Sequence, residues 1–300
     1  VNRFAREGIR LILLFGHGVP ISHPVLAGLP VRDITRVASA PRAGSAIAPL
    51  LEPFLDAFAR AFLFALEEGV AAEATAIIVW QGGAGALLAH RYAAEFRRHG
   101  LLPRDPPLHL WRCAAGGGPA ARRFAAAEAE RIRQALAGLP REEAKDWTSP
   151  LAALEAAQAA GRIAGAEACE RRLRARAAGL PVEARLPADT AGWSGPRLAL
   201  AGAPLGNSLL HRWIEAKGGR IVLDLTGPDP PEGDPVSLMA SRGVERLFWQ
   251  VDPHDDLHGW RWPELRAACA ARGIATVDLG FLPSWPEPGD LAALAGRLPP

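Results

Sequence analysis

The stretch Ile9-Arg10-Leu11-Ile12-Leu13-Leu14-Phe15-Gly16-His17-Gly18 decides the fold class. A short apolar run that stops at a Gly-His-Gly turn reads as a buried parallel strand entering a loop, because a strand covered on both faces has no polar alternation. The same pattern returns at Ala76 to Trp80, ending in Gln81-Gly82-Gly83, and at Leu108 to Trp111, running toward Gly116-Gly117-Gly118-Pro119. Helical patterns over Leu50 to Glu68 and Ala84 to Arg98 separate these runs, so residues 1–118 alternate strand and helix as an open α/β sheet does.

From Ala120 to about Leu180 alanine, glutamate and arginine dominate, and the spacing predicts a helical connection over 119–187. Ile163, Ala166, Cys169, Leu173 and Ala177 recur at three- and four-residue steps, which places Cys169 in a core. Arg171, Arg172, Arg174 and Arg176 fall mostly on the other faces, and with Glu167 and Glu170 beside them they are expected to form a solvated helix face. A second α/β rhythm fills 188–300. Strands are expected at Leu198 to Ala201, Ile221 to Leu225, Leu247 to Val251 and Ile274 to Leu279, with helices over Ser208 to Ala216 and Pro263 to Ala271. Pro263 suits a first helical turn and Gly273 a left-handed stop. The expected architecture is α/β: two Rossmann-like or flavodoxin-like domains with parallel sheets, joined by a helical segment.

Composition agrees. At ~100 to 200 residues per domain, 300 residues make two domains, and 49% apolar with 22% charged residues excludes a disordered or fibrous chain. The net charge of +2 provides no general field for nucleic acid, although only Lys145 and Lys217 are lysines and the arginine forks favour local anion sites. Cys113, Cys169 and Cys269 lie too far apart for a local disulfide or metal motif, so no metal set is read from the sequence and a reducing cytoplasm is expected. No basic n-region precedes a long apolar segment, and Pro49 to Leu66 is interrupted by Glu52, Asp56 and Arg60, so neither a signal peptide nor a membrane span is expected.

Candidate site residues come from the turns after the strands, where open α/β sheets bind ligands. His17, between two glycines, is the histidine best placed for acid–base work, but no nucleophile elbow or HExxH accompanies it. Gln81, Gly82 and Gly83 form the second such turn. Gly116, Gly117 and Gly118 join helix-start amides to Arg122 and Arg123, a pairing suited to phosphate or an acyl carrier, against which stands a plain solvated helix face. Pro204 and Asn207 lie in the turn Gly202-Ala203-Pro204-Leu205-Gly206-Asn207-Ser208, whose spacing is neither that of a dinucleotide loop nor of a P-loop. Asp252-Pro253-His254-Asp255-Asp256 with His258 reads as a turn of helix-capping carboxylates rather than a metal cluster.

Several segments carry a resemblance. Gly202 to Gly206, Trp213-Ile214-Glu215-Ala216-Lys217-Gly218-Gly219-Arg220-Ile221-Val222-Leu223-Asp224, Asp252-Pro253, Trp262-Pro263-Glu264-Leu265, Arg272 to Thr276 and Gly289-Asp290-Leu291 resemble the D-subunit-type family of 2-hydroxyacyl-CoA dehydratases and benzoyl-CoA reductases. Phe15 to Pro20, Phe58-Ala59-Arg60-Ala61 and Gly118-Pro119-Ala120-Ala121 extend the likeness into the first domain. It implies two domains facing a cleft, an acyl-CoA substrate, a 4Fe-4S cluster on three cysteine thiolates, an ATP-driven activator and a partner subunit of the same fold. The family's cysteines would fall in Glu52 to Asp56, in Gly82 to Gly85 and beside Leu225-Thr226-Gly227, and none of these stretches contains one. The expectation is therefore a scaffold that binds no cofactor itself and serves a cysteine-bearing, homologous partner. The alternatives are a stand-alone non-redox ligand-binding protein and an unrelated nucleotide-binding α/β enzyme.

Overall fold

The computed structural model describes residues 11–114, 118–183 and 193–294. It is an α/β chain with two four-stranded parallel sheets. The first contains β1 (Leu11–Phe15), β2 (Val31–Asp33), β3 (Ala74–Gln81) and β4 (Leu108–Arg112) in the order β2-β1-β3-β4. The second contains β5 (Arg197–Gly202), β6 (Arg220–Asp224), β7 (Arg246–Val251) and β8 (Ala275–Phe281) in the order β6-β5-β7-β8. The order is the same in both, and it is that of the first four strands of a flavodoxin-type sheet. The helices among the described residues are α1 (Ala57–Glu67), α2 (Ala84–Arg98), α3 (Pro119–Ala135), α4 (Thr148–Ala159), α5 (Gly165–Ala178), α6 (Leu209–Glu215), α7 (Pro235–Ser241), α8 (Asp256–Ala270) and α9 (Pro288–Ala293).

The chain forms two compact units. One comprises Val1–Trp147 and Arg176–Pro181, the other Thr148–Ala175 and Val182–Pro300. The helical run between the sheets is thus apportioned: α3 belongs to the first unit, α4 and most of α5 to the second.

Both central strands are buried on both faces, which is why they read as unbroken apolar runs. In the first unit Ile12 and Leu14 pack with Trp111, Ile132 and Leu136, whereas Phe15 stacks on Phe62 of α1 at 4.2 Å. In the second, Leu198 and Leu200 meet Leu210 and Ile214 of α6 and Leu291 of α9. Ala199 and Ala201 face the other way, toward Met239 of α7 and Cys269 of α8.

Several expectations change. The strand β2 is three residues long and follows Pro30, too short to show a period. The helix expected from Leu50 begins at Ala57, because Asp56 caps it by accepting the Ala59 amide at 2.9 Å. The helix expected from Pro263 begins at Asp256, with Asp255 as its cap, so Pro263 lies in its interior and not in its first turn. Gly273 does take the left-handed conformation, φ +71°.

The largest correction concerns α5. Arg172 and Arg176 are buried, not solvated, while Leu173 is half-buried and Ala177 exposed. Ile163, Ala166 and Cys169 are buried as expected, but beyond Cys169 the buried stripe continues through Arg172, Ala175 and Arg176, also three- and four-residue steps. Arg172 donates to Gln158 at 2.7 Å and to Glu155, and Arg176 donates to Asp33 at 2.7 Å. Guanidinium groups tolerate burial when their protons meet carboxylates in this way.

Candidate functional site

The two units share a device at the carboxyl end of the sheet. Leu14 pairs with Asp33 across β1 and β2, and Leu200 with Asp224 across β5 and β6; a glycine stands two residues past each leucine. Gly16 has φ +129° and Gly202 φ +118°. A Cβ on Gly16 would lie 2.2 Å from the Trp80 carbonyl oxygen, and one on Gly202 would lie 1.7 Å from that of Gln250. Only glycine permits that approach. Each aspartate is followed two residues later by a threonine whose amide it accepts at 2.8 Å, Thr35 to Asp33 and Thr226 to Asp224.

In the first unit, the turn after β1 meets the turn after β3, where the strand order reverses. A Cβ on Gly82 would sit 2.5 Å from the His17 carbonyl oxygen, and the His17 ring stands edge-on to Phe58 at 4.3 Å. The Gln81 carbonyl accepts the Cys113 thiol at 2.6 Å, and burial raises that thiol's pKa. Gly83 begins α2, and the Asp56 carboxylate lies directly against Gly85. The structure therefore brings together His17, Gln81 and Gly82 with Asp56, Phe58 and Cys113.

Gly118 begins α3 with no side-chain cap, and Arg122 and Arg123 are exposed on its first turns; Gly116 and Gly117 lie outside the described residues. Pro204 and Asn207 belong to the second unit. The Asn207 amide is engaged at both ends, accepting from Leu209 at 3.0 Å and donating to Pro286 at 3.2 Å. Beside it Gly206 packs on the Trp285 indole, and its amide donates to Ser284 at 2.7 Å. The expected carboxylate turn at 252–256 is found, with Asp252 accepting from His254 and Ser284.

Sequence reasoning missed a second group. Cys169 of α5, His211 of α6 and Asp224 at the end of β6 place one ligand-type atom each within 4.8 Å of the others, and all three are buried. His211 is 0% exposed. Its Nε2 contacts Asp224 Oδ2 at 2.9 Å, while Asp224 Oδ1 accepts from the Thr226 amide and hydroxyl and from the Gly227 amide. The Cys169 thiol is near enough to act electrostatically on His211, yet Nδ1 has no hydrogen-bond partner of acceptable geometry. Burial disfavours a charged imidazole, but Asp224 outweighs it, so the His211 pKa is raised well above its usual value. Burial likewise opposes the Asp224 charge, and His211, Thr226 and Arg172 overcome it and hold that carboxyl well below its usual range. No local pattern joins these three, since they sit on three elements; the only trace is the recurrence of Asp-Ile-Thr at Asp33 and Asp-Leu-Thr at Asp224.

No model of a known protein family matches the chain, and no curated protein matches its sequence.

Proposed function

We propose that this chain is a cluster-free subunit of a system like the 2-hydroxyacyl-CoA dehydratases and benzoyl-CoA reductases, supplying an acyl-CoA cleft and an interface to a homologous, cysteine-bearing partner charged by an ATP-dependent activator. One observation supports this reading. The stretches Glu52 to Asp56 and Gly82 to Gly85, separate in sequence and the places where the resemblance puts two cluster ligands, meet where the Asp56 carboxylate lies against Gly85. The third stretch, Leu225 to Gly227, follows Asp224, whose carboxylate its amides cap.

The residues present do not fit a 4Fe-4S cluster. Cluster iron needs soft anionic thiolates, and these three stretches present carboxylates and amides. Cys169 and Cys269 are buried on α5 and α8, and Cys113 is bound to the Gln81 carbonyl. No electron-transfer step is therefore assigned to this chain. Its proposed contribution is recognition: Arg122 and Arg123, with the start of α3, would meet the CoA phosphates through charge-assisted bonds of about 1.5 to 3 kcal/mol each. His17, beside Gln81 and Gly82, would face the acyl portion.

The test is anaerobic purification of the chain alone and with a cysteine-bearing partner of the same fold, followed by iron analysis and calorimetric titration with a CoA thioester. Iron is expected only with the partner. The double change Arg122→Ala with Arg123→Ala should weaken thioester binding about tenfold or more at an unchanged melting temperature. A stoichiometric cluster on the lone chain, or no thioester binding by the complex, overturns the reading. Binding by the lone chain with no partner requirement would favour a free-standing ligand-binding protein.

A further inference from the structure

We infer that Cys169, His211 and Asp224 bind one zinc ion, a site independent of the acyl-CoA reading. The three donors are a thiol sulfur, an imidazole nitrogen and a carboxylate oxygen, brought from α5, α6 and β6 to within 4.8 Å of one another. Metal–ligand bonds of about 2.0 to 2.3 Å in a tetrahedron set the donors roughly 3.3 to 3.6 Å apart, so small side-chain shifts suffice. Sulfur and nitrogen donors with a single oxygen select zinc over magnesium or calcium, which demand oxygen shells.

The surroundings match such a centre. Asp224 Oδ1 is held by the Thr226 amide at 2.8 Å, its hydroxyl at 2.7 Å and the Gly227 amide at 3.2 Å, which turns Oδ2 toward His211 Nε2 at 2.9 Å, the contact in which an ion would take the place of the shared proton. His211 is wholly buried, with Nε2 against Asp224 and the Cys169 thiol close to the same ring, so one imidazole stands between the sulfur and oxygen donors. A divalent ion with one thiolate and one carboxylate sums to zero charge. The neighbouring Arg172, which also favours the Asp224 charge, donates to Glu155, and Arg242 shares that carboxylate at 2.5 Å. Three protein ligands leave the fourth position to a water molecule. With every ligand buried, the ion would enter as the second unit folds.

The experiment unfolds the full chain in chelator and refolds it with zinc or cobalt(II). One zinc per chain should survive desalting, zinc should raise the melting temperature by several degrees, and cobalt should give a thiolate charge-transfer band with tetrahedral absorption. Cys169→Ala should retain cooperative unfolding and lose the band and the thermal shift, whereas Cys113→Ser should keep both. If Cys169→Ala does not refold, Asp224→Asn is read by zinc retention, expected at least tenfold weaker. A parent protein that refolds without zinc and shows no cobalt–thiolate band sinks the site, as does a band that survives Cys169→Ala.

Discussion

On α3, Glu128 accepts from Arg131 at 2.8 Å and from the Arg112 side chain at 2.6 Å, and its side chain is only 5% exposed. These bonds, Arg131 first, lower its pKa to about 2. A carboxyl depressed in the folded state adds stability that is complete above its unfolded pKa and disappears as pH falls through the folded one. Because both arginines are about half exposed, solvent screening reduces the contribution to about 1 to 2 kcal/mol. Glu128→Gln should therefore lower the urea midpoint at pH 7, and the gap from the parent should shrink between pH 4.5 and 2. A gap of constant size across that interval would mean the ion pairs do not stabilise the fold. The pairing of Glu128 with Arg131 is an i, i+3 spacing visible in the sequence, but its bonds to Arg112 depend on how α3 lies against β4.

Where β5 ends, the turn depends on Gly202 for two reasons: φ of +118° and the Gln250 carbonyl where a Cβ would stand. Gly218, at the end of α6, shares the first property, φ +96°, and has open space around it. Gly218→Ala should cost about 1 kcal/mol, the price of the backbone conformation alone, and Gly202→Ala more than about 3 kcal/mol because β5 and β7 must also separate. Equal losses in chemical denaturation would show that the close approach is not a constraint. The sequence places Gly202 in a turn and Gly218 between an expected helix and an expected strand but cannot rank them, since a neighbour's carbonyl leaves no mark on the local pattern. It located α2 to the residue and set the start of α1 too early, because Leu50 and Leu51 extend the apolar pattern into a loop that ends only at the Asp56 cap.

The first unit is not a continuous piece of chain, for it takes back Arg176–Pro181 after the second has begun. Within it Arg176 donates to Asp33 and to the Val19 carbonyl, and Lys145 donates to the Gly179 carbonyl. A chain ending at Trp147 would leave Asp33 as a buried, unpaired charge, a loss of roughly 3 to 5 kcal/mol. Such a chain should be partly unfolded by circular dichroism and hydrogen exchange, and Asp33→Asn should restore part of its structure by removing the charge. A fully folded chain 1–147 with normal stability would show that the returning segment is dispensable.

The parallel α/β class, the strands β1, β3, β4, β5, β6, β7 and β8, and the burial of Cys169 were legible in the sequence alone, since covered strands such as β1, β5 and β7 need unbroken apolar runs and turns need glycine. Tertiary structure decided what those patterns do not encode. It made a strand of Val31–Asp33 by laying it beside β1, and it buried Arg172 and Arg176 by setting Glu155, Gln158 and Asp33 opposite them. It also brought Cys169, His211 and Asp224 together. Periodicity reports which face of an element is covered; the identity of what covers it is a relation between distant parts of the chain, and only folding creates it.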